Sequence, residues 1–114
     1  MVRINSSQSF FLDAGLRRLL IYARIGVMAM LDYYGEDGLP YQDIKDAFKL
    51  PDGSLSPNLV WLKKNKYIES RNERIEGHSV VVYYATEEGK QAYTKVKRWL
   101  NTLLDATENS DKKV

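Results

Sequence analysis

The chain has 114 residues, 44% of them hydrophobic and 28% charged, with a formal net charge of +2 and no cysteine. This length suits one domain with its own core, and the missing thiols exclude disulfides, thiolate metal sites and cysteine-based redox sensing. No apolar run approaches the roughly 18–20 residues that span a bilayer and no signal-peptide layout opens the chain, so a cytoplasmic protein without membrane contact is expected.

Residues 1–8 are polar and expected to be flexible. An apolar segment without proline then runs to Tyr34, with Phe11, Gly15, Leu19 and Tyr22 on one stripe and Leu12, Leu16 and Leu20 thickening it. A single helix of about thirty residues would be long for a small domain, so a break is expected near Tyr22 to Arg24. That division gives a first helix over about 9–22. The second carries Ile25, Val27, Met28, Met30 and Leu31 to the glycine exits at Gly35 and Gly38.

Pro40 opens a short helix with Ile44, Ala47 and Phe48 on its apolar face. After Leu50-Pro51-Asp52-Gly53, a further helix places Leu55, Leu59 and Leu62 inward at i, i+4 and i+7, with Asn65 as its stop. Asp52 or Ser54 can cap it. Two valine- and tyrosine-rich strand candidates, Ile68 to Ile75 and Ser79 to Ala85, flank a tight turn at Glu76-Gly77-His78. Thr86 caps a last helix expected over about 87–105, with Ala92, Val96, Trp99 and Leu103 on its stripe; a charged, disordered tail is expected from 106 to 114.

Charge is unevenly placed. From Ser54 to Arg74 five cations (Lys63, Lys64, Lys66, Arg71, Arg74) face two anions (Glu69, Glu73). From Tyr33 to Leu50 two cations (Lys45, Lys49) face four anions (Glu36, Asp37, Asp43, Asp46). Positive charge therefore gathers in the stretch from Ser54 to Arg74, which holds the second helix of the pair and the first strand of the hairpin. A solvated helix end, with lysines near the negative end of the dipole, accounts for the lysines equally well.

The order helix, helix, helix-turn-helix, hairpin, helix resembles the winged-helix transcriptional regulators, most of all the small archaeal and bacterial members related to the MarR, ArsR and PadR groups. The resemblance rests on four pieces. Arg24 to Leu31 is similar to the family's opening helix. Tyr41 to Phe48 with Asp52-Gly53-Ser54-Leu55-Ser56 supplies the helix-turn-helix. Leu59-x-x-Leu62-Lys63-Lys64-Asn65-Lys66-Tyr67-Ile68-Glu69 looks like the leucine-rich recognition helix and its exit. Tyr84-Ala85-Thr86-Glu87-Glu88-Gly89-Lys90 looks like the junction into the last helix.

The fold class implied is mainly α with a small β-hairpin: a winged helix-turn-helix over 9–105 with terminal dimerisation helices at about 9–22 and 87–105. The function implied is sequence-specific or semi-specific double-stranded DNA binding that regulates transcription, and the apolar stripes from Phe10 to Leu20 and from Ala92 to Leu104, longer than one small domain needs to cover its core, point to a homodimer. In that setting Ser54, Ser56 and Asn58 are candidate polar contacts at the helix front, with capping and local backbone bonds as the alternative. Pro57 and Trp61 are placed on the side away from the leucines. Pro57 removes a helical bond to Gly53 if the helix starts at Asp52, and sits comfortably at the first position if Ser56 is the cap.

Lys63, Lys64 and Gln42 are candidate phosphate contacts. Arg71, Arg74 and His78 on the hairpin are candidates for the adjacent minor groove, or belong to a solvated hairpin paired with Glu73 and Glu76. Phe11, Leu16, Leu20, Val96, Trp99, Leu100 and Leu103 are candidates for the dimer interface, against packing of the two terminal helices within one protomer. A protein-binding winged module and a regulator responding to a small-molecule effector are the other functions weighed. His78 is the only histidine, and no nucleophile–base set or glycine-rich phosphate loop is present, so neither catalysis, metal nor cofactor is expected.

Overall fold

The computed structural model describes residues 10–111. In chain order these form α1 (Ala14–Arg17), α2 (Tyr22–Tyr34), a 3-10 turn (Gly35–Asp37), β1 (Leu39–Pro40), α3 (Tyr41–Phe48), α4 (Asp52–Lys64), β2 (Ile68–Ile75), β3 (His78–Ala85) and α5 (Glu87–Asp111). The result is a mostly helical α+β fold with a three-stranded antiparallel sheet in the order β1-β3-β2.

One core joins all of these layers. Val27, Met28 and Leu31 of α2 meet Ile44 of α3, Leu55, Leu59 and Leu62 of α4, Ile68 of β2, and Ala92 and Val96 of α5. α2, α4 and α5 contribute stripes at helical spacing and α3 adds Ile44, so burial of these side chains, rather than helix propensity, holds the elements together. Truncating a fully buried member such as Leu62 to alanine would cost about 2–5 kcal/mol.

Two glycines are required by the way the chain is folded. Gly38 has φ 68°, and a Cβ there would lie 2.6 Å from the Tyr84 ring, so only glycine lets β1 reach the sheet. At Gly89 a Cβ would stand 2.0 Å from the Tyr67 carbonyl oxygen. The first turn of α5 thus rests directly on the backbone that joins α4 to β2. Thr86 secures the same junction. Its backbone N–H donates to Tyr67 O at 3.0 Å, and its hydroxyl accepts from Gly89 N at 3.0 Å as an N-cap.

The amino-terminal segment departs from expectation. In place of a helix over 9–22 there is a four-residue helix, Ala14–Arg17, and the chain turns at Arg18 to Ile21 before α2 begins. The reason is competition for backbone carbonyls that a continuous helix would use internally. Phe10 O accepts from the Trp99 indole (2.8 Å), Leu12 O from Arg17 Nε (2.7 Å) and Arg18 O from Arg24 Nη1 (2.9 Å). Leu12 and Leu19 are buried all the same.

The carboxyl end differs in the other direction. α5 continues through Asp111, so residues 106–111, expected in a disordered tail, are helical. The expected flexible stretch 1–8 and the last residues of the tail lie outside the described residues.

Candidate nucleic-acid interface

α3, the turn at Lys49 to Pro51 and α4 form a helix-turn-helix. Lys49 closes α3 in the left-handed conformation (φ 51°, ψ 45°), which redirects the chain within three residues. Polar contacts then fix α3 to the front of α4. Tyr41 Oη donates to Asp52 Oδ1 at 2.6 Å and lies 3.0 Å from Ser56 Oγ, while Lys45 Nζ is 3.2 Å from Asp52 Oδ1. The Tyr41 hydrogen bond, reinforced by Lys45, holds the Asp52 carboxyl below its usual pKa. It stays charged in the first turn of α4, where the helix dipole favours an anion.

α4 begins at Asp52, with Pro51 as its N-cap residue and Pro57 inside the helix. Of the two starts open from sequence, the earlier one is observed. Pro57 therefore leaves the Gly53 carbonyl without its i+4 donor. Leu55, Leu59 and Leu62 are buried. At about 100° per residue the direction opposite them falls on Gly53, Pro57, Val60 and Lys64. All four are exposed, Val60 to 58%.

Trp61 is not on that outer ridge. It stands on the flank of α4, half-buried and packed against the core, rather than on the side away from the leucines where it was expected. Arg24 of α2 covers its face, with the guanidinium carbon 3.8 Å from the ring centre, and Tyr67 lies alongside at 6.0 Å. Arg24 Nε also donates to Asn58 Oδ1 at 2.9 Å, and Asn58 Nδ2 donates to Ser54 O at 2.8 Å. Both ends of the Asn58 amide are therefore engaged within the protomer. Burial, with Arg18 nearby, lowers the Arg24 pKa, yet a guanidinium remains cationic at neutral pH. Sequence reading passed over Arg24 because its partners lie more than thirty positions away.

Gln42, Ser54, Ser56, Lys63 and Lys64 are exposed along α3 and α4. Gln42 Nε2 donates to Asp46 Oδ1 at 2.9 Å, and Lys63 Nζ donates to Ser70 Oγ at 2.6 Å, joining the end of α4 to the wing.

The wing is β2 and β3 joined by Glu76-Gly77. Both turn residues have positive φ (51° and 82°) and Ile75 pairs with His78, so this is a two-residue hairpin of the I′ kind. Arg71, Arg74 and His78 are exposed on it. Arg71 pairs with Glu69 at 2.6 Å, which raises its pKa, and stacks over Tyr84 at 4.2 Å. Arg74 Nη2 donates to Gly77 O at 3.1 Å. Neither arginine is paired with Glu76 in these contacts, and the Glu73 carboxylate accepts from the Tyr84 hydroxyl instead.

The candidate interface residues for a second copy divide. Val96 is 0% exposed in the protomer's own core and is unavailable to a partner, because α5 turns that position toward α2. Leu16 packs against the core, and Trp99 and Leu103 are half-buried. Phe11 (69%), Leu20 (38%) and Leu100 (38%) are exposed, and so is Leu104 (62%), which was not among the candidates.

Among the described residues no group of three or more His, Cys, Asp or Glu side chains is arranged to hold a metal ion, and no helix is long and apolar enough to cross a membrane.

The chain belongs to the winged helix DNA-binding domain family, whose model matches residues 23–104. Its fold is shared by solved structures of low sequence identity. A transcriptional regulator homologue from Pyrococcus horikoshii OT3 aligns with a TM-score of 0.70 at 19% identity, over 83% of this chain and 90% of that one. A mutant of S. aureus MepR bound to an oligodeoxyribonucleotide aligns with a TM-score of 0.62 at 22% identity, over 89% and 78%. The zinc-responsive MarR family member ZitR of Lactococcus lactis aligns with a TM-score of 0.62 at 14% identity, over 83% and 63%. No curated protein is similar enough in sequence to count as a match.

Proposed function

We propose that this protein regulates transcription by binding double-stranded DNA as a homodimer, with α4 in the major groove and the β2–β3 wing in the adjacent minor groove. One observation carries the reading: α4 buries its leucine face and exposes the opposite ridge, beside a wing that exposes Arg71, Arg74 and His78. A helix so anchored can enter a groove without unfolding anything behind it. The oligodeoxyribonucleotide held by the MepR mutant, on the same fold, supports the assignment.

In this arrangement Lys63 and Lys64 neutralise phosphates, giving affinity that is independent of sequence and sensitive to salt. Gln42, Ser54 and Ser56 supply polar contacts at the front of the helix pair, and Pro57 is presented to the groove between them. Asn58 and Trp61, tied to Arg24, act by fixing the angle of α4 rather than by touching bases. The exposed Leu100 and Leu104 of α5, with Phe11 and Leu20, supply apolar surface for a second copy. A two-fold pair would set two recognition helices about 34 Å apart, one turn of DNA.

Selection of bound duplexes from a random pool by the purified protein tests this directly. The expected result is an inverted repeat whose half-sites are centred about 10 bp apart. Recovery of an unrepeated motif would remove the dimer, and failure to enrich or retain any duplex at low salt would remove DNA binding.

A further inference from the structure

The outermost ridge of α4 is unusual in chemistry for a base-reading surface. Of its members Gly53, Pro57, Val60 and Lys64, only Lys64 carries a side-chain hydrogen-bonding group, at the far end of the ridge. Three polar side chains beside it make contacts within the protomer. Asn58 bonds to Arg24 and Ser54, Ser56 lies against Tyr41, and Lys63 donates to Ser70. Val60 is 58% exposed and Pro57 is exposed one turn before it, so the centre of the ridge is apolar.

An apolar pair cannot discriminate the donors and acceptors on a base-pair edge. The major groove offers one non-polar mark, the methyl on C5 of a pyrimidine. We infer that Val60, with Pro57, reads pyrimidine 5-methyl groups, so that thymines at defined positions carry the sequence preference of this protein. The inference rests on the DNA-binding reading above and adds the chemical feature recognised. Thymine is the ordinary source of such a methyl; 5-methylcytosine presents the same group at a C·G pair.

The test uses the full chain and two random duplex pools, one synthesised with thymine and one with deoxyuridine in its place. The thymine pool is expected to converge on a motif with fixed T·A pairs in each half-site. Replacing those thymines one at a time by deoxyuridine should weaken binding about three- to fivefold per methyl, the worth of one buried methylene-sized group. Val60→Ala should lose a similar factor on the thymine duplex and should show little further loss on the deoxyuridine duplex. A third duplex, with 5-methylcytosine at those positions, separates methyl recognition alone from recognition that also needs the T·A edge; regained affinity relative to the unmethylated C·G duplex supports the methyl contact.

Equal binding of the thymine and deoxyuridine duplexes would overturn the inference and leave DNA binding intact. Absence of binding to every duplex at low salt would overturn the DNA-binding reading, and this inference with it. Val60 is exposed, so loss of folding does not confound its replacement.

Discussion

Arg24 on α2 stacks 3.8 Å over the ring of Trp61 on α4 and donates to Asn58 Oδ1 one turn earlier on the same helix. One guanidinium therefore sets the orientation of α4 on the helix behind it. A half-desolvated cation–π contact is worth about 1–2 kcal/mol, and a hydrogen bond from a charged donor about 1.5 kcal/mol.

Replacing Arg24 with alanine is expected to lower unfolding stability by roughly 2–3 kcal/mol, read from the urea midpoint at unchanged m-value. Lysine keeps the charge but not the planar fork, so Arg24→Lys should fall between the two. A midpoint for Arg24→Ala equal to wild type would mean that α4 is held by its leucines alone.

Gly89→Ala and Gly53→Ala should move stability in opposite directions. At Gly89 the new Cβ would meet Tyr67 O at 2.0 Å and Met28 Cε at 3.0 Å, and backbone must move. A loss of about 3 kcal/mol or more is expected, enough to lower the melting temperature by more than 10 °C. At Gly53 nothing lies within 4 Å of the added atom, and alanine should stabilise α4 by about 0.5–1 kcal/mol. Thermal unfolding of the two variants side by side decides this.

These contacts also mark where sequence reasoning succeeds and where it stops. The Leu55, Leu59, Leu62 stripe, the Glu76-Gly77 turn and the Thr86 cap depend on neighbours within a few residues, and pattern alone locates them. The segment from Phe10 to Ile21 has an equally good helical stripe. Its carbonyls go instead to side chains, among them Trp99, 89 positions away, which donates to Phe10 O. β1 is only Leu39 and Pro40, paired with β3 across more than forty residues, and has no strand pattern of its own. Trp61, expected on the side away from the leucines, stands off the outer ridge and packs against Arg24 and Tyr67, a choice made by tertiary contacts. Val60 carries no polar group and so gives no sign of a contact residue in the sequence; its 58% exposure marks it in the structure.

The wing turn is open to improvement. Glu76 adopts φ 51° at the first position of an I′ turn, where asparagine is much better accommodated. Glu76→Asn should stabilise the hairpin by about 0.5–1 kcal/mol, raising the melting temperature by a few degrees. It also removes a negative charge from the tip, so duplex affinity should rise slightly at low salt. A fall in both quantities would count against the proposed role of the wing.

Self-association is expected to depend on α5 beyond the protomer core. Leu104 is 62% exposed, so Leu104→Asp should leave folding unchanged while shifting the sedimenting species toward half the mass. The variant should also bind an inverted-repeat duplex more weakly than a single half-site loss explains, since both recognition helices would no longer act together. An unaltered mass would place the interface elsewhere.

If the outer side of α4 and the arginines of the wing face a polyanion, duplex binding must weaken as salt rises. Fluorescence anisotropy of a labelled duplex of about 25 bp, titrated with protein between roughly 50 and 200 mM salt, should give log K falling linearly with log salt, by about 0.9 per phosphate neutralised. The double variant Arg71→Ala, Arg74→Ala should bind more weakly and with a slope reduced by about 2. Association that is absent at the lowest salt, or that keeps its slope when both arginines are removed, would mean that the wing and α4 do not meet DNA phosphates.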